Sequence, residues 1–389
     1  MKRFKFTNTN NKIATVSKKI MLLLISAISL QIGAQTITNF TTADGLINDA
    51  INCVAVDAND NIWLGTSSGI SKFDGVNWTT YTTADGLVND NVKAITATAN
   101  GNIWVGTDFG VSKFDGVNWT TYTTTDGLAM NQVAHIAQAP NGDLWFAHAS
   151  FSAGVSRLVG TTWTTYSSPD LPISGVAATA FDANGDKWFA TPLDGTVHYD
   201  GTTFTTYTIN NGLVSNYSTA ILCDNNQKWI GTSSGMSVLD ATNTSVTNHT
   251  QMYILPPPDT LNPVVDIAQD GFGRIWTTIY VGYLAEGGVA FWNGTKWEDF
   301  DVSDGLAGPN VRELAIDSDD NVWVATSTGL SKIVSIPSSF EELINNKQQN
   351  STKKLISVID FLGRKTKNTN QIQLYIYEDG TVEKIIFVE

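Results

Sequence analysis

The chain has little of what most reaction chemistry is built from. Among 389 residues there are only 2 cysteines and 4 histidines. Cys53 and Cys223 fall in segments that are not neighbours in the repeat described below, so two free, buried thiols are expected although an exported chain would permit a disulfide. Neither segment carries a basic partner to make a thiolate nucleophile. His135, His148, His198 and His249 are scattered singly, without the spacing of a metal site. No nucleophile elbow, phosphate-binding loop or dinucleotide fingerprint occurs. Basic charge is scarce where it would matter: residues 36–334 hold ten Lys/Arg against thirty Asp/Glu, a balance of 10 − 30 = −20. Such a surface repels phosphate backbones and anionic headgroups, which excludes nucleic acid and membrane surfaces as partners. Long apolar runs are missing too. The longest, Ile20 to Ile32, is thirteen residues and falls short of the roughly 18 that a spanning helix needs.

What the chain has is aromatic mass. With 12 Trp, 11 Tyr and 17 Phe, 42% hydrophobic residues and only 15% charged, it can build a large core. Its start is different: residues 1–34 carry six Lys/Arg and no acid, then the thirteen-residue apolar run, then Gly33 and Ala34. That order is a secretory signal peptide, with cleavage expected after Ala34 and a mature protein without a membrane span.

The body repeats. The phrase FDGVNWTTYTT begins at Phe73 and again at Phe114, and alignment on it gives one Trp per unit at 63, 104, 145, 188, 229, 276 and 323. Each unit parses into four short strands divided by turn chemistry. Unit two shows Val92–Thr98, an Ala-Asn-Gly-Asn turn, Ile103–Thr107, an Asp-Phe-Gly turn, Val111–Phe114, Asp115-Gly116, and Trp119–Thr123. A lone four-stranded blade cannot cover both of its apolar faces, so the units must stack around an axis. The expectation is an all-β, seven-bladed propeller over residues 35–335. Unit seven ends after Ser331–Val334 without an outer strand, while Ile37–Leu46 aligns with Trp78–Leu87, so residues 37–42 are expected to pair with the last blade and close the ring.

The motifs D-G-L-x-x-(D/N)-x-V, D-x-x-(G/D)-N-(I/V)-W-(V/L)-G-T and G-(V/I)-S-K-F-D-G resemble the two-component regulator propeller repeat, over about 300 residues. Unit five departs from it at Asn243–Asn248, and unit six has Thr277-Thr278 for Gly-Thr. The resemblance implies an extracytoplasmic ligand sensor. No spanning segment or kinase-sized region follows the repeats, so signalling within the same polypeptide is not expected.

Residues 336–354 are polar and turn-rich, a linker, and residues 355–389 form a small β appendage. VIDFLGRKTK followed by LYIYEDGTVEKIIFVE resembles the C-terminal sorting domain of the type IX secretion system of Bacteroidota. Gly363, Arg364, Tyr375, Asp379, Gly380, Glu383 and Lys384 carry that resemblance, which implies the secretion machinery as a partner and a cell-surface or released protein.

Loops that depart from the repeat are the candidate site. Asp108 and Phe109 lie in the unit-two loop; His148 and Phe151 in a unit-three loop three residues longer; Tyr280, Tyr283 and Glu286 in a unit-six loop six residues longer; Tyr253 between units five and six. Aromatics with carboxylates suit sugar stacking and hydrogen bonding, and drift in a tolerant loop would look the same. The Asp-rich turns Asp57–Asn61, Asp182–Asp186 and Asp317–Asn321 offer oxygen ligands to calcium but lack a further bidentate acid and fall where each blade needs a hairpin, so turns are expected and no cofactor. Propeller lyases resembling virginiamycin-inactivating enzymes place a histidine and metal-binding acids at the central mouth; His148 is the one histidine to consider for that, and an incidental loop or blade histidine is the preferred reading. The reading is an exported, non-enzymatic recognition propeller for a glycan or a protein. The alternatives are a lyase or hydrolase acting at the central mouth and a structural or adhesive surface protein.

Overall fold

The computed structural model describes residues 36–150, 153–167, 171, 175–224, 227–253, 262–280 and 287–334, and the backbone of 355–360, 373–377 and 382–385. Seven four-stranded antiparallel sheets succeed one another along the chain. They stand around a common axis as a seven-bladed propeller, one compact unit over Ile37–Ser335. The innermost strands are Ile51–Val56, Val92–Ala97, His135–Gln138, Ala178–Phe181, Ser218–Cys223, Val264–Gln269 and Val311–Ile316.

Burial along a blade follows composition. The second strand, Ile-Trp-Leu-Gly-Thr at 62–66, is buried at every position because a blade packs against it on each face. The outer strand, Trp-Thr-Thr-Tyr at 78–81, exposes both threonines and half-buries the ring at each end, Trp78 toward the seventh blade and Tyr81 toward the second. The core is therefore a set of seams. Trp63 and Ile70 of the first blade pack with Val92, Ile95, Val105 and Phe114 of the second. Trp63 stacks on Tyr81 at 5.7 Å and tilts against Phe114 at 6.0 Å. Each such indole removes enough apolar surface from water to contribute roughly 1.5–3 kcal/mol or more.

The Asp-rich turns have a structural use that ties them to these tryptophans. Asp57 accepts from the backbone N–H groups of Asn59 and Asn61, and its other oxygen accepts the Trp63 indole N–H at 2.9 Å. Indole-to-carboxylate bonds recur at Asp182–Trp188 (3.3 Å), Asp224–Trp229 (3.2 Å), Asp270–Trp276 (2.7 Å) and Asp317–Trp323 (2.9 Å). One carboxylate thus shapes the hairpin and satisfies a buried donor. In the third blade Ala139 takes that place, and the Trp145 indole nitrogen is buried without a partner.

The ring closes with the N-terminal strand: Ile37, Thr38, Asn39 and Phe40 pair antiparallel with Ile333, Lys332, Ser331 and Leu330. The outer strand of the fifth blade, which the repeat motif does not show at Asn243–Asn248, forms at Val246–His249. There His249 occupies the place of the repeat tyrosine, stacks on Trp229 at 6.0 Å and accepts the Trp297 indole N–H at 3.1 Å. It belongs to a seam, not to the following loop. Both cysteines are free, Cys53 fully buried and Cys223 partly, and burial pushes both thiols up.

A separate three-stranded antiparallel sheet comprises Leu355–Asp360, Gln373–Tyr377 and Val382–Ile385. Tyr375 pairs with Val358 and Glu383, and Lys384 pairs with Leu374. Residues 1–35, Gly363, Arg364, Asp379 and Gly380 lie outside the described residues.

Candidate functional site

In an antiparallel meander the loop from one blade to the next and the loop between a blade's second and third strands emerge at the same end. The inter-blade loops show what the D-G-L-x-x-(D/N) motif does. Asp85 accepts from the Thr82 N–H at 2.8 Å, Gly86 adopts a φ of +113° that disfavours other residues, and Asp90 accepts from the Thr83 N–H at 2.7 Å. The loop is thus pinned and delivers Val92 to the start of the inner strand.

There each of five inner strands carries a bulge, the register shifting between Ile51 and Cys53, Val92 and Ala94, Ser218 and Ala220, Val264 and Asp266, and Val311 and Glu313. Bulges re-aim side chains. The residues at and just after them line one axial cavity of about 380 Å³, together with Ala134 and His135 of the third blade and Ala177 and Ala178 of the fourth. Its polar lining is Asn52, Lys93, Thr96, His135, Thr219, Asp266, Arg312 and Glu313. The polar groups are unevenly spread: blades six, seven and two supply the charges, blade one an asparagine, and blades three and four alanines and a histidine.

Two carboxyl groups dominate. Asp266 accepts the Leu314 N–H at 2.9 Å, and Glu313 accepts the Val54 N–H at 3.0 Å, so each ties its blade to the next. Burial pushes Asp266 up to about 6. Burial and then the Asp266 carboxylate push Glu313 well above the usual carboxylate range. Arg312 spends a guanidinium N–H on the Asn52 side-chain oxygen, and Asn52 donates to the Val92 carbonyl at 2.8 Å. His135 is held neutral, burial lowering it to about 4, and its Nδ1 is buried without a partner.

The loop residues singled out from the sequence divide. Asp108 is at the rim, 3.8 Å from the Lys93 ammonium and accepting from Asn91 (3.2 Å) and Gln132 (3.1 Å). Phe109 beside it is 61% exposed. Tyr280 is partly exposed, its N–H on the Pro263 carbonyl at 3.1 Å. His148 and Tyr253 are corrections to the ligand-binding set. His148 is fully buried, with one ring nitrogen on the Gln132 carbonyl at 2.8 Å and the other on the Ser156 hydroxyl at 2.9 Å. It is a core histidine of the third blade and reaches no mouth. Tyr253 is 5% exposed in the seam between blades five and six, its hydroxyl 3.3 Å from Asp301. Phe151, Tyr283 and Glu286 lie outside the described residues.

The inner-strand charges were not among those loop candidates. A signal existed: once the repeats are aligned, the residue after the strand-opening Val/Ile/Ser runs Asn52, Lys93, Ala134, Ala177, Thr219, Val265, Arg312, and the next runs Cys53, Ala94, His135, Ala178, Ala220, Asp266, Glu313. Charge at these positions is out of keeping with a strand buried in a core.

Among the described residues, one group of three potential metal ligands lies within 4.8 Å: Asp182, Asp186 and His198. Its charges are already met. Asp182 has the Trp188 indole and the Lys228 ammonium (3.8 Å), and His198 pairs with Asp186 at 2.9 Å while stacking on Trp188. Also among the described residues, no helix is long and apolar enough to cross a membrane.

Residues 45–68 and 86–109 match the two-component regulator propeller family. No curated protein is similar enough in sequence to count as a relative. Among solved structures, the extracellular domain of the hybrid two-component system BT3049 from B. thetaiotaomicron is 19% identical with a TM-score of 0.65, over 90% of this chain and 48% of that one. This chain therefore spans about half that protein's length. Virginiamycin B lyase from Staphylococcus aureus, solved with quinupristin, is 14% identical with a TM-score of 0.59, over 77% of this chain and 99% of that one. PorZ, a surface component of the type IX secretion system of Porphyromonas gingivalis, is 15% identical with a TM-score of 0.59, over 88% of this chain and 60% of that one. At these identities the likeness is one of fold.

Proposed function

We propose that the chain is an exported, non-enzymatic recognition propeller that holds a small polar ligand, a glycan fragment in preference to a protein segment, in the mouth of its axial cavity. One observation carries this: Lys93, Arg312, Asp266 and Glu313, drawn from three blades, open on a single cavity of about 380 Å³ in a ring otherwise packed with Val, Ile, Ala and Trp. A volume in that range suits a ligand of a few to a dozen or so heavy atoms. Burying ionisable groups costs stability, and a fold that retains them at one place has a use for them there. The exposed Phe109 at the rim provides an apolar face for a sugar ring. Likeness to extracellular domains of regulators accords with this reading, and export belongs to it, with residues 1–34 as signal peptide and 355–389 as a type IX sorting domain. No cofactor is required.

A glycan array on the full chain, repeated with Phe109→Ala and Lys93→Ala, tests the site. Binding that is absent, or indifferent to both changes, refutes it. One observation favours a second reading as a lyase or hydrolase, namely the raised Asp266 carboxyl, which is suited to proton donation near neutral pH. Turnover of an array hit, abolished by Asp266→Asn, would decide for it. Fusing residues 336–389 to a reporter and following its secretion tests the tail.

A further inference from the structure

The recognition reading leaves open which chemical group the cavity selects, and its charge balance answers that. Asp266 and Glu313 are adjacent around the axis, one on each of two successive inner strands, close enough that the charge on Asp266 opposes ionisation of Glu313. Asp266 accepts from the Leu314 and Ile267 N–H groups and Glu313 from that of Val54, and among the described residues no ion pair is formed with either carboxyl group. The nearby cations are used elsewhere: Arg312 turns to Asn52, and Lys93 to Asp108. Two neighbouring carboxylates in a low-dielectric cavity require a proton or a cation between them. Across the same cavity the buried Nδ1 of His135 lacks any partner. A bare metal is poorly served, since Asp266, Glu313 and His135 do not converge within 4.8 Å as the Asp182 group does. The cavity of about 380 Å³ that they line has room for a small organic molecule.

We propose that the ligand is a saccharide bearing a free, protonated amine, whose ammonium sits against Asp266 and Glu313. This rests on the recognition reading and names its ligand class. The Arg312 and Lys93 groups keep N–H donors for hydroxyl oxygens, and the wall of blades three and four (Ala134, His135, Ala177, Ala178) meets its apolar face. The ring's surplus of 30 − 10 = 20 acidic over basic residues between 36 and 334 raises the local concentration of cations at the mouth.

Calorimetry on the full chain with D-glucosamine, N-acetylglucosamine, glucose, Nα-acetyl-lysine amide and calcium chloride tests it. The expected result is glucosamine binding at least tenfold tighter than either neutral sugar, with protons released on binding, because the ammonium replaces the proton shared by the pair. Asp266→Asn and Glu313→Gln, which keep an oxygen for the Leu314 and Val54 N–H groups, should each weaken glucosamine at least tenfold. The comparison of sugars on the unaltered protein stands even if a variant fails to fold. Neutral sugars binding as well as glucosamine, with loss in Phe109→Ala, would overturn the amine assignment and leave the recognition reading intact. Acetyl-lysine amide or calcium binding tighter than glucosamine would overturn the saccharide class, and no binding by any probe at millimolar concentration would overturn the proposal altogether.

Discussion

The third blade offers a direct test of the aspartate–tryptophan pairing, because it lacks the aspartate. Five blades give the buried indole N–H a carboxylate acceptor from the preceding turn, whereas Trp145, 1% exposed, has its nitrogen buried and unpartnered above Ala139. The Ala139 turn has the same backbone as the others: its N–H bonds the Asp143 carbonyl at 2.8 Å, and its carbonyl accepts from Gly142 at 2.8 Å, as Asp57 does with Asn61 and Asp60. Ala139→Asp should therefore place a carboxylate where the donor waits. An unsatisfied buried donor costs about 1–3 kcal/mol, and capping the turn N–H groups adds about 0.5–1 kcal/mol. Against this stand desolvation of the new charge and its repulsion from Asp143, the latter moderated because Arg157 holds Asp143 and lies over the Trp145 ring at 5.6 Å. The net expectation is a gain of about 1–2 kcal/mol, read by urea unfolding as a higher midpoint at unchanged slope. The mirror variant Asp317→Ala, which strips Trp323 and the turn N–H groups of Asp319 and Asn321 of their acceptor, should lose about 2–4 kcal/mol. If Ala139→Asp is neutral or destabilising while Asp317→Ala is costly, the indole bond is not what these aspartates contribute.

Three further outcomes follow from the same geometry. Because the folded chain holds the Asp266 and Glu313 protons more tightly than the unfolded chain, it binds more protons from about pH 4 upward, and stability falls as pH rises, through about pH 6 for Asp266 and further for Glu313. Glu313→Gln should accordingly raise the melting temperature at pH 8 and leave it nearly unchanged at pH 4.5; an equal change at both pH values would remove charge as the cause. Phe40→Ala, which takes away a ring 5.4 to 5.9 Å from Phe73, Trp323 and Trp78 at the closing seam, should cost about 2–3 kcal/mol in denaturant unfolding, the low end for an aromatic because the ring is only half-buried. Gly231→Ala, at a backbone φ outside the left-handed region, would set a Cβ 2.4 Å from the Val264 side chain of the next blade and should cost about 1–3 kcal/mol in urea unfolding; a neutral change would show that blade-to-blade approach is not the constraint.

The sequence by itself determined the ring. Seven tryptophans at a near-constant interval, the missing last strand and the surplus first one were enough to give blade number and closure, because each strand's burial is written in its own apolar pattern and each turn in its own Asp, Asn and Gly. The D-G-L motif was visible as a repeat, though the carboxylate bonds that make it a pinned loop were not. The site was only half legible. Asp108 and Phe109 could be picked out as loop departures, but His148, from the same kind of argument, proved to be a core residue hydrogen-bonded at both nitrogens, and Tyr253 went to a seam. Loop length says where a chain departs from its repeat and nothing about which way a side chain turns. Only the tertiary structure decided that Asn52, Lys93, Asp266, Arg312 and Glu313, up to 261 positions apart in sequence, share one cavity. A one-residue bulge is silent in hydropathy, and it takes closure of the ring to make the five bulged strands and their two neighbours converge on an axis where water is displaced and charge becomes costly.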